Sequence, residues 1–206
     1  MSLKKFLIAI TGGYGSGKSL FSKYLIQNNE VVINSDLVAK ELMTKNEKIK
    51  EQIIKLLGSS AYNPDGSINS VLIADKIFND SKLYTKHIKI VHPPTIIEIK
   101  RLAQKELKKR NRVFVESALV FEANIENIFD YIILIKSDVS IRMKRIIERD
   151  GITPNEFFRR IQFQIDPDDA EENADFLIYN NDSIEELSKR FEFVYNIIKS
   201  LTNSKL

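Results

Sequence analysis

The stretch Gly12-Gly13-Tyr14-Gly15-Ser16-Gly17-Lys18-Ser19 decides the fold, because it satisfies the pattern G-x-x-x-x-G-K-[ST] of a phosphate-binding loop. Such a loop joins a strand to a helix, and the neighbouring sequence supplies both. The apolar run Phe6–Thr11 before the loop is typical of a buried strand, and the residues Lys18–Gln27 after it follow a helical pattern. This context argues against the alternative, a glycine-rich turn that binds nothing.

The chemistry of the loop predicts that it binds the phosphates of a nucleoside triphosphate. Glycines leave no Cβ between the backbone N–H groups and the phosphate oxygens, and the following helix adds its positive N-terminal end. Lys18 is expected to reach the β- and γ-phosphates, and the Ser19 hydroxyl is expected to coordinate Mg²⁺. The predicted nucleotide-binding residues are Gly13, Tyr14, Gly15, Ser16, Gly17, Lys18, Ser19 and Leu20.

Short apolar runs alternate with longer helical patterns along the rest of the chain. Nearly continuous apolar strands are typical of a parallel sheet that is buried on both faces, so we predict a three-layer α/β fold with a parallel five-stranded sheet. The strands are predicted at Phe6–Thr11, Glu30–Ile33, Val113–Glu116, Tyr131–Ile135 and Phe176–Tyr179. The helices are predicted at Lys18–Gln27, Ser35–Thr44, Glu47–Leu57, Ser70–Phe78, Ser81–Lys109, Ser140–Arg149, Pro154–Gln164 and Ser183–Leu201.

Two helical excursions interrupt this alternation. The first lies between the second and third predicted strands and is longer than a simple crossover requires, and the second carries many arginines before the last strand. We predict one domain over 1–206. Its core would be formed by 1–36, 106–137 and 174–206, with an acceptor-binding insertion over 37–105 and a lid over 138–173.

Composition limits the possible classes of protein. Of the 206 residues 43% are hydrophobic, which suffices for a sizeable core, and no cysteine is available for a disulfide or a thiolate metal site. No apolar run approaches the roughly 18 residues of a membrane span, and the first one is too short for a signal peptide. The net charge of +3 is weak, and the basic run between Lys105 and Arg112 fits a solvated helix end better than a nucleic-acid site. We therefore expect a cytoplasmic protein without a membrane or nucleic-acid partner.

A phosphate-binding loop alone is compatible with GTPases, motor ATPases and small-molecule kinases. The Asn-Lys-x-Asp run that reads guanine in GTPases is absent, whereas Glu116 could serve as the strand-end carboxylate of a motor ATPase. The long insertion and the arginine-rich excursion favour a kinase, because lid arginines can neutralise the charge of a transferring phosphoryl group. Asp36 follows the second predicted strand, where it would accept a proton from an attacking hydroxyl or merely stabilise a helix N-terminus.

Several short segments follow one another in an order that is more specific than any of them alone. The segments are Ile10–Ser19 (T-G-G-I-G-S-G-K-S/T), Val32–Lys40 (V-I-D-A-D-x-x-A-R), Asp65–Asn69 (D-G-x-L-N), His92-Pro93, Glu116–Glu122 (D-V-P-L-L-F-E), Arg145–Gly151 (R-x-x-x-R-D-G), Arg160–Gln164 (R-I…Q) and Ala174–Asn180 (A-D-x-V-I-x-N). In this order the chain resembles the dephospho-CoA kinase family over nearly its whole length.

The resemblance implies a P-loop kinase core with a helical acceptor-binding insertion and a helical lid. It implies ATP and Mg²⁺ as phosphoryl donor and metal, and dephospho-CoA as the small-molecule acceptor that is converted to coenzyme A. Asp36 would activate the ribose 3′-hydroxyl, while Lys18, Arg145 and Arg149, with Arg142 as a further candidate, would stabilise the transferring group. The implied acceptor-binding residues are Asp36, His92, Pro93, Leu119, Phe121 and Glu122.

Four positions depart from the family pattern. Asn34 and Glu116 stand where the pattern has Asp, Ser70 stands where Arg is common, and Ala170 stands where a lid lysine is often found. These departures leave the loop lysine, Asp36 and the lid arginines in place. Two rival hypotheses stay open on the sequence: another P-loop kinase that acts on nucleosides or nucleoside monophosphates, and a nucleotide-dependent switch that hydrolyses little.

Overall fold

The computed structural model describes residues 4–203, and of Pro167 it describes only the backbone. The ends of the predicted core at 1–3 and 204–206 lie outside the described residues. Two compact units are present within the described part of the chain: one combines 4–33 with 103–203, and the other spans 34–102. The sheet and the phosphate loop belong to the first unit.

The five strands form one sheet in the order β2-β3-β1-β4-β5, and the prediction of a parallel five-stranded sheet is confirmed. Strand β1 pairs in parallel with β3 on one side and with β4 on the other, so it occupies the centre of the sheet. Every residue of β1 is buried, as its continuous apolar sequence predicts. The strands are β1 (Phe6–Thr11), β2 (Val32–Asn34), β3 (Arg112–Glu116), β4 (Tyr131–Lys136) and β5 (Phe176–Tyr179).

Helices pack against both faces of this sheet. On one face Ile8 and Ile10 contribute to a buried cluster with Phe21 of α1 and Phe191 of α9, and on the other face Ala9 packs in a cluster that includes Ala170 of α8. The alternation of side chains along β1 therefore feeds two separate cores, which gives the three layers that the sequence predicts. The helices are α1 (Lys18–Gln27), α2 (Ser35–Lys45), α3 (Glu47–Leu57), α4 (Ser70–Asn79), α5 (Ser81–Leu107), α6 (Val139–Asp150), α7 (Pro154–Ile161), α8 (Pro167–Glu172) and α9 (Ile184–Asn203).

The unit over 34–102 is helical and has a core of its own. Helices α2, α3 and α4 and the first part of α5 bury apolar side chains at helical spacing, among them Ile53, which is fully buried. Asn46 and Asn69 cap α3 and α4, because the side-chain oxygen of each accepts a hydrogen bond from the backbone N–H three residues ahead. The roles of an acceptor-binding insertion and a lid stay predictions.

Candidate active site

The phosphate loop connects β1 to α1 and contains glycines where no side chain fits. Gly12 has a φ of 146°, and a Cβ there would lie 2.2 Å from the carbonyl oxygen of Ile135 on β4. Gly17 has a φ of 103°, and a Cβ there would lie 2.3 Å from Nδ2 of Asn180. Both conformations are strained for other residues, and neither neighbour is a flexible side-chain end. The loop therefore leaves its backbone open towards a ligand only because these positions are glycine.

Lys18 and Ser19, at the first turn of α1, have the environments that phosphate and metal binding require. The Lys18 ammonium group donates hydrogen bonds to the carbonyl oxygens of Gly12 and Gly13 at 2.7 and 3.0 Å, so it lies along the loop. The Ser19 hydroxyl donates to Oε1 of Glu116 at 2.7 Å, and Glu116 is buried at the end of β3. This hydroxyl and carboxylate form an oxygen donor pair that suits Mg²⁺.

Asn180, which directly follows β5, holds the loop from below. Its buried side chain donates from Nδ2 to the carbonyl oxygen of Ser16 at 2.7 Å. Its own carbonyl oxygen accepts from Nη1 of Arg145 at 3.0 Å, and its Oδ1 accepts from Nη2 at 3.2 Å. One chain of hydrogen bonds thus joins Arg145 of α6 to the phosphate loop. The sequence assigned no role to Asn180, although its place at the carboxyl end of a strand was a signal.

Two further arginines of α6 lie near the loop. Arg142 is only 4% exposed, lies against Gly13 and donates to the carbonyl oxygen of Tyr14 at 3.4 Å. Its Nε has no hydrogen-bond partner within residues 4–203, and burial lowers the pKa of its guanidinium group. Arg149, one of the predicted catalytic residues, pairs with the neighbouring Asp150 at 2.7 Å and is more exposed. Hydrogen bonds tie Arg142 and Arg145, though not Arg149, to backbone oxygens of this unit.

A cavity of about 310 Å³ opens beside Gly12 and Gly13. Phe121 and Glu122, both predicted to bind the acceptor, contribute to its walls together with Arg142, whereas Leu119 does not. Oε1 of Glu122 accepts from the backbone N–H of Ile165 at 2.9 Å, and its other oxygen is buried with no hydrogen-bond partner in the described residues. Burial raises the pKa of the Glu122 carboxyl group. The cavity therefore presents a buried carboxyl and a buried guanidinium group to a polar ligand.

The remaining predicted site residues lie in the unit over 34–102. Asp36 occupies the first turn of α2, whose N-cap is Asn34; the side chain of Asn34 accepts from the backbone N–H of Leu37 at 3.0 Å. The substitution of Asn for the family's Asp thus preserves a helix cap. His92 and Pro93 lie inside α5, where burial lowers the pKa of the His92 imidazole.

A strand, a phosphate loop and a helix, beside strand ends that supply a carboxylate and an amide, define a P-loop kinase, and kinases of other substrates share this fold. A gluconokinase from Sinorhizobium meliloti superposes with a TM-score of 0.53 at 14% identity, covering 96% of this chain and 97% of the gluconokinase. The sequence model of the dephospho-CoA kinase (CoaE) family matches residues 6–186, and the chain belongs to that family.

Individual relatives agree with the family match. The dephospho-CoA kinase of Fusobacterium nucleatum is 32% identical over 186 residues, which is 90% of this chain and 95% of the relative. That of Listeria monocytogenes is 29% identical over 96% of this chain and 98% of its own length. The structure of TT1252 from Thermus thermophilus superposes with a TM-score of 0.74 at 25% identity, covering 94% of this chain and 97% of that one. A dephospho-CoA kinase from Campylobacter jejuni gives 0.70 at 23% identity with the same coverage, which supports the fold.

Family membership has two direct consequences. The chain is a kinase whose substrates are small molecules, with ATP as the phosphoryl donor. The family match continues beyond the loop through the whole helical unit, which the open hypothesis of a motor ATPase does not explain. Among the described residues, no helix combines the length and apolar character needed to cross a bilayer.

Proposed function

We propose that this chain transfers the γ-phosphoryl group of ATP to the ribose 3′-hydroxyl of dephospho-CoA, the last step of coenzyme A biosynthesis. The observation that carries the proposal is the extent of the family match, which covers 6–186 and therefore both the phosphate loop and the whole unit over 34–102. A match to the loop alone would support only a nucleotide-binding protein. We further propose that the protein works in the cytoplasm on these small molecules, without a nucleic-acid or membrane partner.

The donor side of the reaction relies on residues of the sheet-containing unit. The backbone N–H groups from Gly13 to Leu20 and the Lys18 ammonium group would hold the phosphates, and Arg142 and Arg145 are buried cations beside the same loop. Ser19 and Glu116 would hold Mg²⁺, which when bound neutralises phosphate charge. Arg145, Arg149 and Lys18 would then stabilise the negative charge that spreads over the transferring phosphoryl group.

The acceptor side requires a proton acceptor, because a ribose hydroxyl is not ionised near neutral pH. In the proposed step the 3′-oxygen forms a bond to the γ-phosphorus, the bond from that phosphorus to the leaving ADP oxygen breaks, and the hydroxyl proton passes to Asp36. Asp36, His92, Pro93, Leu119, Phe121 and Glu122 would bind the acceptor. The insertion would thus supply the base and the lid would supply cations, as the sequence predicts for 37–105 and 138–173.

An acceptor panel tests the proposal directly. ATP turnover would be measured with dephospho-CoA, AMP, CMP, UMP, thymidylate, adenosine and uridine, and NMR of the product would locate the new phosphate. We expect the highest kcat/KM with dephospho-CoA and phosphate on the ribose 3′-oxygen. A higher kcat/KM on a monophosphate or free nucleoside, or phosphate at another position, would leave a P-loop kinase of different specificity. ATP consumption that no acceptor stimulates would favour the nucleotide-dependent switch.

A further inference from the structure

Tyr14, at the tip of the phosphate loop, contacts three side chains of the segment that follows β4. Its hydroxyl donates to Oδ2 of Asp150 at 2.6 Å and accepts from Nη1 of Arg160 at 2.7 Å. Its backbone N–H donates to Oε1 of Gln164 at 2.9 Å. The loop is therefore bound to the ends of α6 and α7 through one residue, which no motif at this position requires.

Two guanidinium groups converge on this tyrosine. The guanidinium carbon of Arg149 lies 5.9 Å from the centroid of the Tyr14 ring, and that of Arg160 lies 5.4 Å from it. Arg149 also binds both oxygens of Asp150, at 2.7 and 2.8 Å. Like charges so close together repel, and the Asp150 carboxylate beside the hydroxyl offsets that repulsion. We call Tyr14, Arg149, Asp150 and Arg160 the Tyr14 cluster.

The protonation states of the cluster suit a permanent link. The hydrogen bond from Arg149 is the main reason that the pKa of Asp150 falls to about 2, so its carboxylate is ionised at neutral pH. Burial raises the pKa of the Tyr14 phenol, so the hydroxyl keeps the proton that it donates. The ring also stacks on Phe157 of α7, with centroids 6.0 Å apart. A phenylalanine in place of Tyr14 would keep the ring contacts and lose only the hydroxyl.

We infer that Tyr14 is a positioning residue, whose hydroxyl together with the Asp150 carboxylate fixes the guanidinium groups of Arg149 and Arg160 at the tip of the phosphate loop. The inference rests on the proposed function and adds the residue that places the cations. Phosphoryl transfer depends on donors that are fixed where charge develops, because a cation that must first be oriented stabilises the transition state less. Tyr14 acts through the arginines and needs no contact with either substrate.

The test is a double-mutant cycle with Tyr14→Phe and Asp150→Asn, measured with ATP and dephospho-CoA. We expect each single variant to lower kcat about ten-fold, because each removes the same charge-assisted contact. The KM for ATP, and its dissociation constant from calorimetry, should change less than about three-fold, since the loop itself is intact. The double variant should be no more than about two-fold slower than the slower single variant, because the two residues act as one unit.

A matched control lies at the other edge of the sheet. The Tyr195 hydroxyl donates to Oε1 of Glu30 at 2.7 Å, and the same oxygen accepts from Nε of Arg112 at 2.8 Å. Tyrosine, carboxylate and arginine thus repeat the chemistry of the Tyr14 cluster, at the amino ends of the strands and away from the loop. Tyr195→Phe should lower the midpoint of urea unfolding and leave kcat within two-fold of the wild type.

Each result of this experiment decides between the readings. A Tyr14→Phe variant with kcat within two-fold of the wild type overturns the inference, and so do two single losses that multiply in the double variant. A fall in kcat of the same size in Tyr195→Phe also overturns it, because the loss would then follow from general destabilisation. A wild type that prefers another member of the acceptor panel overturns only the proposed acceptor, and the cycle is run on that acceptor. A wild type that phosphorylates none of them overturns both.

Discussion

Single residues hold the phosphate loop in place from two directions. The Lys18 ammonium group bonds to carbonyl oxygens within the loop, and the Asn180 amide bonds to the Ser16 carbonyl from below. The first contact involves the group that phosphates would attract, while the second belongs to the scaffold. Substitutions at the two positions should therefore differ in kind, with Lys18 affecting chemistry and Asn180 affecting the loop itself.

Lys18→Ala should abolish measurable phosphoryl transfer while the protein stays folded. The side chain contributes charge towards the β- and γ-phosphates and little to the core, because it contacts only loop carbonyls among the hydrogen bonds seen here. The measurement is coupled ATP turnover with dephospho-CoA, beside circular dichroism. Lys23→Ala, on the exposed side of the same helix, is the control and should keep normal turnover. Near-normal turnover in folded Lys18→Ala would refute the assignment of the loop.

Asp36→Asn should lower kcat on the order of 10²–10⁴-fold and raise neither KM comparably, because the amide keeps the shape and cannot accept a proton. Stability should change little, since Asn34 and not Asp36 caps helix α2. The loss lies at the low end of that range if catalysis is mainly electrostatic. Steady-state kinetics with each substrate varied in turn gives the answer, and a change of only a few-fold would reduce Asp36 to a helix-end carboxylate.

Arg145→Ala and Arg149→Ala should both reduce kcat, with at least one loss larger than about ten-fold. Arg145 carries an additional expectation, because it binds Asn180, which in turn holds Ser16. We expect Arg145→Ala to raise the KM for ATP, whereas Arg149→Ala should leave that KM nearly unchanged. Lys144→Ala, at an exposed position of the same helix, serves as the control. Normal turnover in both arginine variants would show that the segment 138–173 is no catalytic lid.

At the level of helices and strands, most of the fold follows from local patterns. The strands Phe6–Thr11 and Phe176–Tyr179 have the predicted bounds, because each is an apolar run that ends at a polar residue. Helix α8 was missed, although Asp166 caps it, Pro167 starts it and two acidic residues occupy its first turn. Only six residues long, it shows no apolar period. Helix α7 ends at Ile161, not at Gln164, because apolar residues continue beyond its last hydrogen bond.

Helix α5 contains a buried histidine that should make stability depend on pH. His87 is 7% exposed, and neither ring nitrogen has a hydrogen-bond partner within residues 4–203. Burial, and secondarily His92, lowers the pKa of the His87 imidazole to about 4 from 6.5. The neutral ring is favoured in the folded state, so its stabilising effect is complete above about pH 6.5 and is lost as the pH falls towards 4.

Urea unfolding of the wild type and of His87→Leu at pH 7 and pH 5 measures this effect. The wild type should lose more stability than the variant between the two pH values, because leucine does not titrate. Any loss that remains in the variant includes the contribution of His92, whose pKa is also lowered by burial. An equal loss in the two proteins would show that His87 keeps an ordinary pKa in the folded chain.

At the level of the whole molecule, a buried ionic network joins the amino ends of the strands to the last helix. Glu30 and Arg112 pair at 2.7 Å with side chains that are 8% and 10% exposed, and Arg112 also donates to Thr202 of α9 at 2.8 Å. Removing one partner leaves a buried charge without its counter-ion, so Glu30→Gln should cost roughly 3–5 kcal/mol of unfolding free energy. Glu30→Gln combined with Arg112→Met should cost less than the sum of the two single changes. Additive losses in urea unfolding would contradict a direct pair.

The candidate site was predictable only where its chemistry is local in sequence. The loop motif indicates Lys18 and Ser19, whose environments fit the predicted roles. The partners of the loop could not be read in this way: Glu116 lies 97 positions from Ser19, and Asn180 lies 164 positions from Ser16. Which side chain ends a strand is visible in the sequence, but its neighbour across the sheet depends on the strand order.

The bond between Asn180 and Ser16 has a consequence for the birth of the protein on the ribosome. The loop residues are among the first to be synthesised, yet the amide that holds their backbone is made when only the last helix is still to come. A nascent chain therefore carries the complete nucleotide-binding motif for most of its synthesis without the group that fixes the motif's shape. Nucleotide binding should begin late and abruptly during translation, because the contact spans almost the whole chain. Chains released before residue 180 should consequently fail to compete for ATP.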